Sequence, residues 1–178
     1  APQGLSANDI TDKEFTAFWN NTDNASGYYI DVSEYENFYD ASGNPSFVGK
    51  YNNLSITTNS CKIEGLKPGK QYYYRVRAFG NGAQSASSSV ATVTTLYTAQ
   101  IKKADGTTEY YDSLDDALAA AEEGNEIIVD GTADLTPAIK GNAVLKENVK
   151  LTIPSDKTIT VESGAKFENN GLISGEGN

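Results

Sequence analysis

Apolar and polar residues alternate along much of the first half of the chain. The clearest run follows a Pro-Gly turn at residues 68–69, and one of its faces carries Tyr72, Tyr74, Val76 and Ala78. The opposite face is polar, and this period of two is typical of a strand that buries one side. The pattern therefore predicts one long, half-buried strand.

The same alternation recurs in shorter runs at residues 15–19, 28–32, 61–63 and 90–95. Clusters of Gly, Asn and Ser separate them, as turns separate strands in all-β proteins. The pattern thus predicts an all-β first half.

The second half begins differently, with a pattern that repeats every three to four residues. Ser113 is placed to cap a helix over about residues 113–123, Asp116 is its capping-box partner, and Gly124 is placed to end it. The buried stripe of this helix is predicted to be Leu114, Ala117, Leu118 and Ala121.

After the helix, short apolar runs return about every ten residues, split by turns rich in Gly and Asn. Inward-facing positions are predicted at Val149, Leu151, Ile153, Ile159, Val161, Phe167, Leu172 and Ile173. Short strands at this interval are typical of a solenoid. We expect a short β-solenoid here.

Charge divides the chain in the same place. The formal net charge is −10, and residues 1–96 carry 7 basic and 9 acidic side chains, whereas residues 97–178 carry 7 and 15. This shift predicts two domains, residues 1–96 and 97–178. A negative field repels phosphate backbones, so we expect no nucleic-acid partner.

Four features of the first half occur together in a familiar order. They are Trp19, the alternating run Tyr28-x-Ile30-x-Val32, the corner Leu66-x-Pro68-Gly69-x-x-Tyr72, and the tail from Ala78 through Gly82, Ser85 and Ser88 to Thr95. This set resembles a fibronectin type III domain, in the variant common in secreted proteins of the Bacteroidetes. The resemblance implies a seven-strand Ig-like sandwich of about 90 residues with a tyrosine corner at Tyr72. It also implies spacing, display or binding as the role.

The run from Tyr111 to Val129, with its Ser-Leu, Ala-Leu and Gly positions, resembles the first segment of right-handed parallel β-helices of the pectate-lyase-like superfamily. That resemblance implies that the helix covers one end of a β-helix and that the strand after Gly124 starts its first rung. A solenoid buries its core only by stacking rungs. We therefore expect either a longer natural protein or self-association through an exposed C-terminal rung.

The loop-rich segment from Glu34 to Asn53 exceeds what a minimal sandwich needs. Its aromatic side chains Tyr35, Phe38 and Tyr39 are the candidate binding residues, because aromatic rings stack on sugar rings. The alternative is that they cap one end of the sandwich, since aromatic side chains gain much by burial. Both interpretations stay open at this point.

Residues for catalysis are few. The chain has no His, which excludes Ser-His-Asp and Cys-His arrangements and His-ligated metals. The pair Asp115 and Asp116 is predicted to complement the helix dipole. Scattered carboxylates at Asp130, Asp134 and Asp156 form no recognisable calcium loop. We therefore expect no enzyme activity, no cofactor and no metal.

The lone Cys61 forms no intramolecular disulfide and is predicted to act as a small hydrophobe. No apolar run approaches the roughly 20 residues of a membrane span. The main hypothesis is a non-catalytic secreted or bacterial cell-surface module for adhesion or display, with an extracellular protein or glycan as its ligand. The alternative is an accessory carbohydrate-binding region of a larger polysaccharide-degrading enzyme. It rests on the aromatic loop cluster together with Tyr29 and Tyr73, which are expected to face outward beside it. A third reading makes the second half a truncated enzyme.

Overall fold

The computed structural model describes residues 1–129 and 137–175. The chain divides into two compact units, Ala1–Thr95 and Leu96–Asn178, called here the first and second units. Strands and one short helix make up the regular structure of the described ranges, which confirms the all-β prediction. The division lies next to the boundary predicted at residue 96, and the domain assignment itself stays a prediction.

The first unit consists of two antiparallel sheets with the strand orders β1-β2-β5 and β4-β3-β6-β7, and β8 also pairs with β6. Its strands are β1 (Ser6–Asn8), β2 (Glu14–Phe18), β3 (Gly27–Ser33), β4 (Leu54–Ile56), β5 (Ser60–Glu64), β6 (Gln71–Gly80), β7 (Ala83–Gln84) and β8 (Ala91–Thr94).

The core of the first unit draws side chains from both sheets, as a sandwich requires. Phe15 and Ile63 come from one sheet and Ile30, Tyr74 and Val76 from the other, and all five are fully buried. The alternation predicted for β6 is confirmed, because its even-numbered residues from Tyr72 to Ala78 are buried.

The strand that pairs with the far side of β6 is interrupted, so eight strands are seen where seven were expected. Between β7 and β8, the hydroxyls of Ser85 and Ser88 accept hydrogen bonds of 3.0 Å from the backbone N–H groups of Ala78 and Val76. Serine side chains thus take the place of carbonyl groups in the ladder.

The second unit is built from ten described elements. They are β9 (Ala99–Lys102), β10 (Thr108–Tyr111), α1 (Leu114–Ala120), β11 (Glu126–Ile128), β12 (Ala138–Ile139), β13 (Asn142–Leu145), β14 (Lys150–Ile153), β15 (Thr160–Val161), β16 (Lys166–Asn169) and β17 (Leu172–Gly175).

Parallel pairing dominates the second unit after α1. The main sheet has the order β10-β9-β11-β14-β17, and two further pairs are β12-β15 and β13-β16. Each parallel partner lies 22 or 24 positions further along the chain, as Ala138 pairs with Thr160 and Ile127 with Leu151. The β-helix assignment stays a prediction.

Helix α1 is shorter than predicted. Ser113 caps it, since its Oγ accepts a 3.1 Å bond from the N–H of Asp116, and the predicted apolar stripe is buried. The helix ends at Ala120 because Asn125 forms a turn with Glu122, whose N–H donates to Asn125 Oδ1. Gly124 is therefore not the capping glycine. Instead, Lys146 Nζ donates to the carbonyls of Ala119 and Ala121.

One of the predicted inward positions of the second unit is wrong. Leu172 is 61% exposed. Leu172 lies in register with Lys150 and Glu126, so it shares their outward face. Val161 lies in register with Ile139, which is 1% exposed, so Val161 is on the predicted inward face, but it is less covered and remains 45% exposed.

Candidate binding groove on the first unit

The segment of residues 34–50 leaves the end of β3 and is tied back to it. Ser33 Oγ accepts a 3.0 Å bond from the N–H of Tyr35, and the N–H of Val48 donates to the carbonyl of Val32 at 2.8 Å. The N–H of Ser46 donates to the carbonyl of Phe38 across the loop at 2.9 Å. The loop is therefore hydrogen-bonded into a fixed shape.

Phe38 anchors this loop and does not belong to an exposed aromatic surface. Its side chain is 1% exposed, the guanidinium carbon of Arg75 lies 4.1 Å from its ring centroid, and the Phe47 ring lies at 6.2 Å. Its φ of 64° places it in the left-handed region, which is costly for a bulky residue. The covered ring agrees with the capping alternative for Phe38, and its role as a binding residue stays a prediction.

A buried carboxylate holds the arginine beneath Phe38. Asp31 is 1% exposed, and its oxygens accept 2.9 Å bonds from Arg75 Nε and Arg77 Nη2 and a 2.7 Å bond from the N–H of Asn53. Sequence reasoning missed this cluster. The sequence did contain a hint of it. Asp31 on β3 and the two arginines on β6 all occupy polar positions of the alternating pattern in their strands.

Tyr35 and Tyr39 are the exposed aromatic residues of the loop, with 39% and 48% of their surfaces accessible. Both line an open groove with a volume of about 730 Å³. Its other walls are Glu34, Glu36, Asn37, Asp40, Ala41, Tyr73 and Val90. The structure thus brings two of the three predicted site residues together with Tyr73 of β6, the tyrosine expected beside them.

The polar groups of the groove are held by local bonds. Asp40 accepts 2.9 Å hydrogen bonds from the N–H groups of Ser42 and Asn44. Such bonds lower the pKa of this carboxyl, and the bond from the Asn44 backbone has the largest effect. Glu34 lies 3.3 Å from Lys70 Nζ and 3.9 Å from Lys67 Nζ. Local bonds therefore hold both carboxylates in place, and the Asp40 carboxylate is ionised at neutral pH.

The family of the first unit is decided at the turn before β6. The backbone N–H of Lys67 donates a 2.9 Å hydrogen bond to the hydroxyl of Tyr72, which is 1% exposed. This confirms the tyrosine corner. The family model of the fibronectin type III domain matches residues 1–94. The chain belongs to this family.

Three solved structures illustrate the likeness of the fibronectin type III unit. The FN1–FN3 domains of chicken CNTN1 are 20% identical over 53% of this chain and 30% of that one, with a TM-score of 0.42. The fn3 domain of human collagen alpha-1(XX) is 17% identical over 53% and 82%, with a TM-score of 0.43. An Fn3-like protein from Clostridium thermocellum is 27% identical over 51% and 86%, with a TM-score of 0.40. No curated protein matches the chain.

Fibronectin type III domains are typically non-catalytic and are common in extracellular and adhesion-related proteins. Among residues 1–129 and 137–175, no group of three or more His, Cys, Asp or Glu side chains is placed to hold a metal ion. Asp130 and Asp134 lie outside those ranges. No helix of the described part is long and apolar enough to cross a bilayer.

The remaining predicted residues have structural contacts. Burial raises the pKa of the Cys61 thiol, as expected of a small hydrophobe. Asp116 takes part in the capping of α1, and Asp115 accepts bonds from the N–H groups of Lys140 and Gly141 at 2.9 and 3.3 Å.

Proposed function

We propose that the chain is a non-catalytic module pair of a secreted or bacterial cell-surface protein that serves adhesion or display, and that the groove at Tyr35 and Tyr39 contacts its ligand. The observation that carries this proposal is the pair of exposed tyrosines on an anchored loop. The anchor is the chain of contacts from Phe38 to Arg75 to Asp31.

Anchoring matters because binding costs free energy for every side chain and loop that becomes ordered. Tyrosine offers a large contact area with few rotatable bonds, and for this reason it is enriched at recognition surfaces. A loop that is already fixed by hydrogen bonds loses less conformational entropy on binding, so more of the contact free energy contributes to affinity. The groove therefore has the properties of a preformed recognition surface.

The second unit is proposed to be the start of a parallel β-helix, with residues 97–178 as its domain and α1 as its cap. Four parallel strand pairs with offsets of 22 or 24 residues support this assignment. In a β-helix, one rung corresponds to one such offset, and the stacking of rungs supplies the core. Its role here is to display and space the first unit.

Self-association through the last strand is part of the same proposal. In the described residues β17 pairs only with β14, and Leu172 and Ile173 on it are 61% and 41% exposed. An unpaired strand edge with exposed apolar side chains recruits a further strand. Sedimentation velocity at several concentrations would then show a dimer that Ile173→Lys abolishes.

The ligand contact is tested with the double substitution Tyr35→Ala and Tyr39→Ala. We expect the double variant to lose binding to immobilised extracellular-matrix proteins or glycan arrays, while Tyr110→Ala keeps it. Tyr110 is a matched control because it is a tyrosine with 40% exposure in the second unit. Equal binding by both variants contradicts the site, and cleavage of any polysaccharide by the purified chain contradicts the non-catalytic role.

The second candidate function is an accessory carbohydrate-binding region of a larger polysaccharide-degrading enzyme. The observation that favours it is the combination of exposed tyrosine rings with a rim of hydrogen-bond acceptors at Glu34, Glu36 and Asp40. Sugar rings have apolar faces that stack on aromatic rings and hydroxyls that donate to carboxylates. Retention of the chain by a polysaccharide, and loss of it in Tyr39→Ala, tests this function.

A further inference from the structure

The charged side chains that line the groove are all acidic. Glu34, Glu36 and Asp40 line it, and Glu36 has no ion-pair partner among the described residues. Lysines near the groove, Lys67 and Lys70, pair with Glu34. Any ligand in the groove therefore meets a negative field.

The arginines of the same sheet do not offset this field. Arg75 and Arg77 direct their donors at the buried carboxylate of Asp31, and both are less than a third exposed. The guanidinium of Arg75 is also covered by the Phe38 ring. Neither arginine lines the groove, and the nearby Lys67 and Lys70 are already paired with Glu34, so a carboxylate or sulfate on a ligand meets no unpaired cation among the lining residues.

The polar atoms of the groove are mostly acceptors. Carboxylates accept hydrogen bonds and do not donate them when ionised. Tyr73 directs its hydroxyl proton at Gln71 Oε1, at 2.6 Å. A ligand that fits must therefore donate hydrogen bonds, and the exposed rings of Tyr35 and Tyr39 require it to have an apolar face as well.

We infer that the groove binds a polysaccharide of uncharged, hydroxyl-rich sugars and rejects polyuronates and sulfated glycans. This inference rests on the second candidate function and names its ligand class. Sugar rings supply the apolar face, and their hydroxyls supply the donors that the carboxylates need. Like charges at contact distance oppose an anionic chain.

Affinity electrophoresis of the full chain at low salt tests the inference. The gels contain galactomannan, barley β-glucan or laminarin as neutral polysaccharides, and polygalacturonate or chondroitin sulfate as anionic ones. We expect at least one neutral polysaccharide to retard the chain, with an apparent dissociation constant at least tenfold lower than that of either anionic one. The double variant Tyr35→Ala with Tyr39→Ala loses this retardation, and Tyr110→Ala keeps it.

A charge reversal separates electrostatic rejection from a poor fit. Glu36→Lys places a cation at the rim, and we expect it to raise affinity for polygalacturonate at least threefold, with the gain falling as salt is added. Glu147→Lys makes the same change at an exposed position of the second unit and is expected to leave every affinity unchanged. Circular dichroism checks that both variants are folded.

The outcomes separate the inference from the function on which it rests. If polygalacturonate or chondroitin sulfate retards the chain as strongly as any neutral polysaccharide, the inference is overturned while the carbohydrate-binding function stands. If no polysaccharide retards the chain, the inference and the carbohydrate-binding function are both refuted. Binding of an Arg- and Lys-rich peptide in their place identifies the groove as a protein-binding site and overturns the inference as well.

Discussion

The two units bury their apolar side chains by different means. In the first unit, large aromatic residues fill the space between two antiparallel sheets, and buried hydroxyls find backbone partners, as Tyr74 does with the carbonyl of Ser6 at 2.7 Å. In the second unit, Ala, Val, Leu and Ile form the buried core. Each layer there depends on the next strand in the parallel stack.

One register of the second unit demonstrates this dependence. Ile127, Leu151 and Ile173 are aligned on neighbouring strands and are 0%, 1% and 41% exposed. The residue type and face are equivalent, and only the number of neighbouring strands differs. Burial by stacking is thus decided one layer at a time, whereas burial between two sheets is complete within the first unit.

The largest effect that tests this comparison is a core truncation within that register. We expect Ile127→Ala to lower the free energy of unfolding by about 2–5 kcal/mol, because it leaves a cavity in a closed layer. Ile173→Ala is expected to cost less than about 1 kcal/mol, since much of its surface is already in water. Urea denaturation followed by circular dichroism measures both, and equal costs would refute the layer-by-layer account.

A smaller effect is expected at the tyrosine corner of the first unit. Tyr72→Phe removes the acceptor of the Lys67 N–H and should lower the free energy of unfolding by about 1–2 kcal/mol, because a part-buried donor loses its partner. Tyr73→Phe is the matched control, since its hydroxyl bonds only to the exposed side chain of Gln71. If Tyr73→Phe lowers the free energy of unfolding as much as Tyr72→Phe does, the hydrogen bond of the corner makes no specific contribution to stability.

The smallest effect concerns one tyrosine in each unit. Burial raises the pKa of Tyr74 to about 12, and burial followed by the hydrogen bond to Glu109 raises the pKa of Tyr111 to about 12. Because both pKa values lie above the unfolded value of about 10, the folded state favours the neutral phenols. Their stabilising contribution is therefore full below pH 10 and is lost as the pH rises toward 12.

Absorbance at 295 nm follows this titration. Glu109→Gln should lower the pKa of Tyr111 and leave that of Tyr74 unchanged, and Tyr74→Phe should remove one late-titrating group. The free-energy advantage of the parent chain over Tyr74→Phe should shrink between pH 10 and 12. If the pKa of Tyr111 is the same in Glu109→Gln as in the parent chain, its elevation is due to burial alone.

The candidate groove could be predicted only in part. The sequence placed Tyr35 and Tyr39 in a loop, where function concentrates, and both are exposed. It did not separate them from Phe38, because spacing within an irregular loop carries no period that fixes direction. Tyr73 was expected beside this cluster because alternation places it on the outward face of β6, and it lines the groove.

Local chemistry in the sequence was sufficient wherever neighbours in the chain determine the structure. Alternation determined which face of β6 is buried, the Pro-Gly turn and Tyr72 determined the corner, and Ser113 determined the start of α1. These features depend on residues a few positions apart, within reach of one hydrogen bond or one pleat.

Tertiary structure decided the features that depend on contacts far apart in the chain. Asp31 is in the polar phase of its strand, yet it is buried, because Arg75, Arg77 and the Asn53 backbone converge on it. Likewise, Ile173 has the sequence environment of a core residue but remains 41% exposed. Burial is a property of what lies opposite a side chain, and a local pattern states only the direction in which that side chain points.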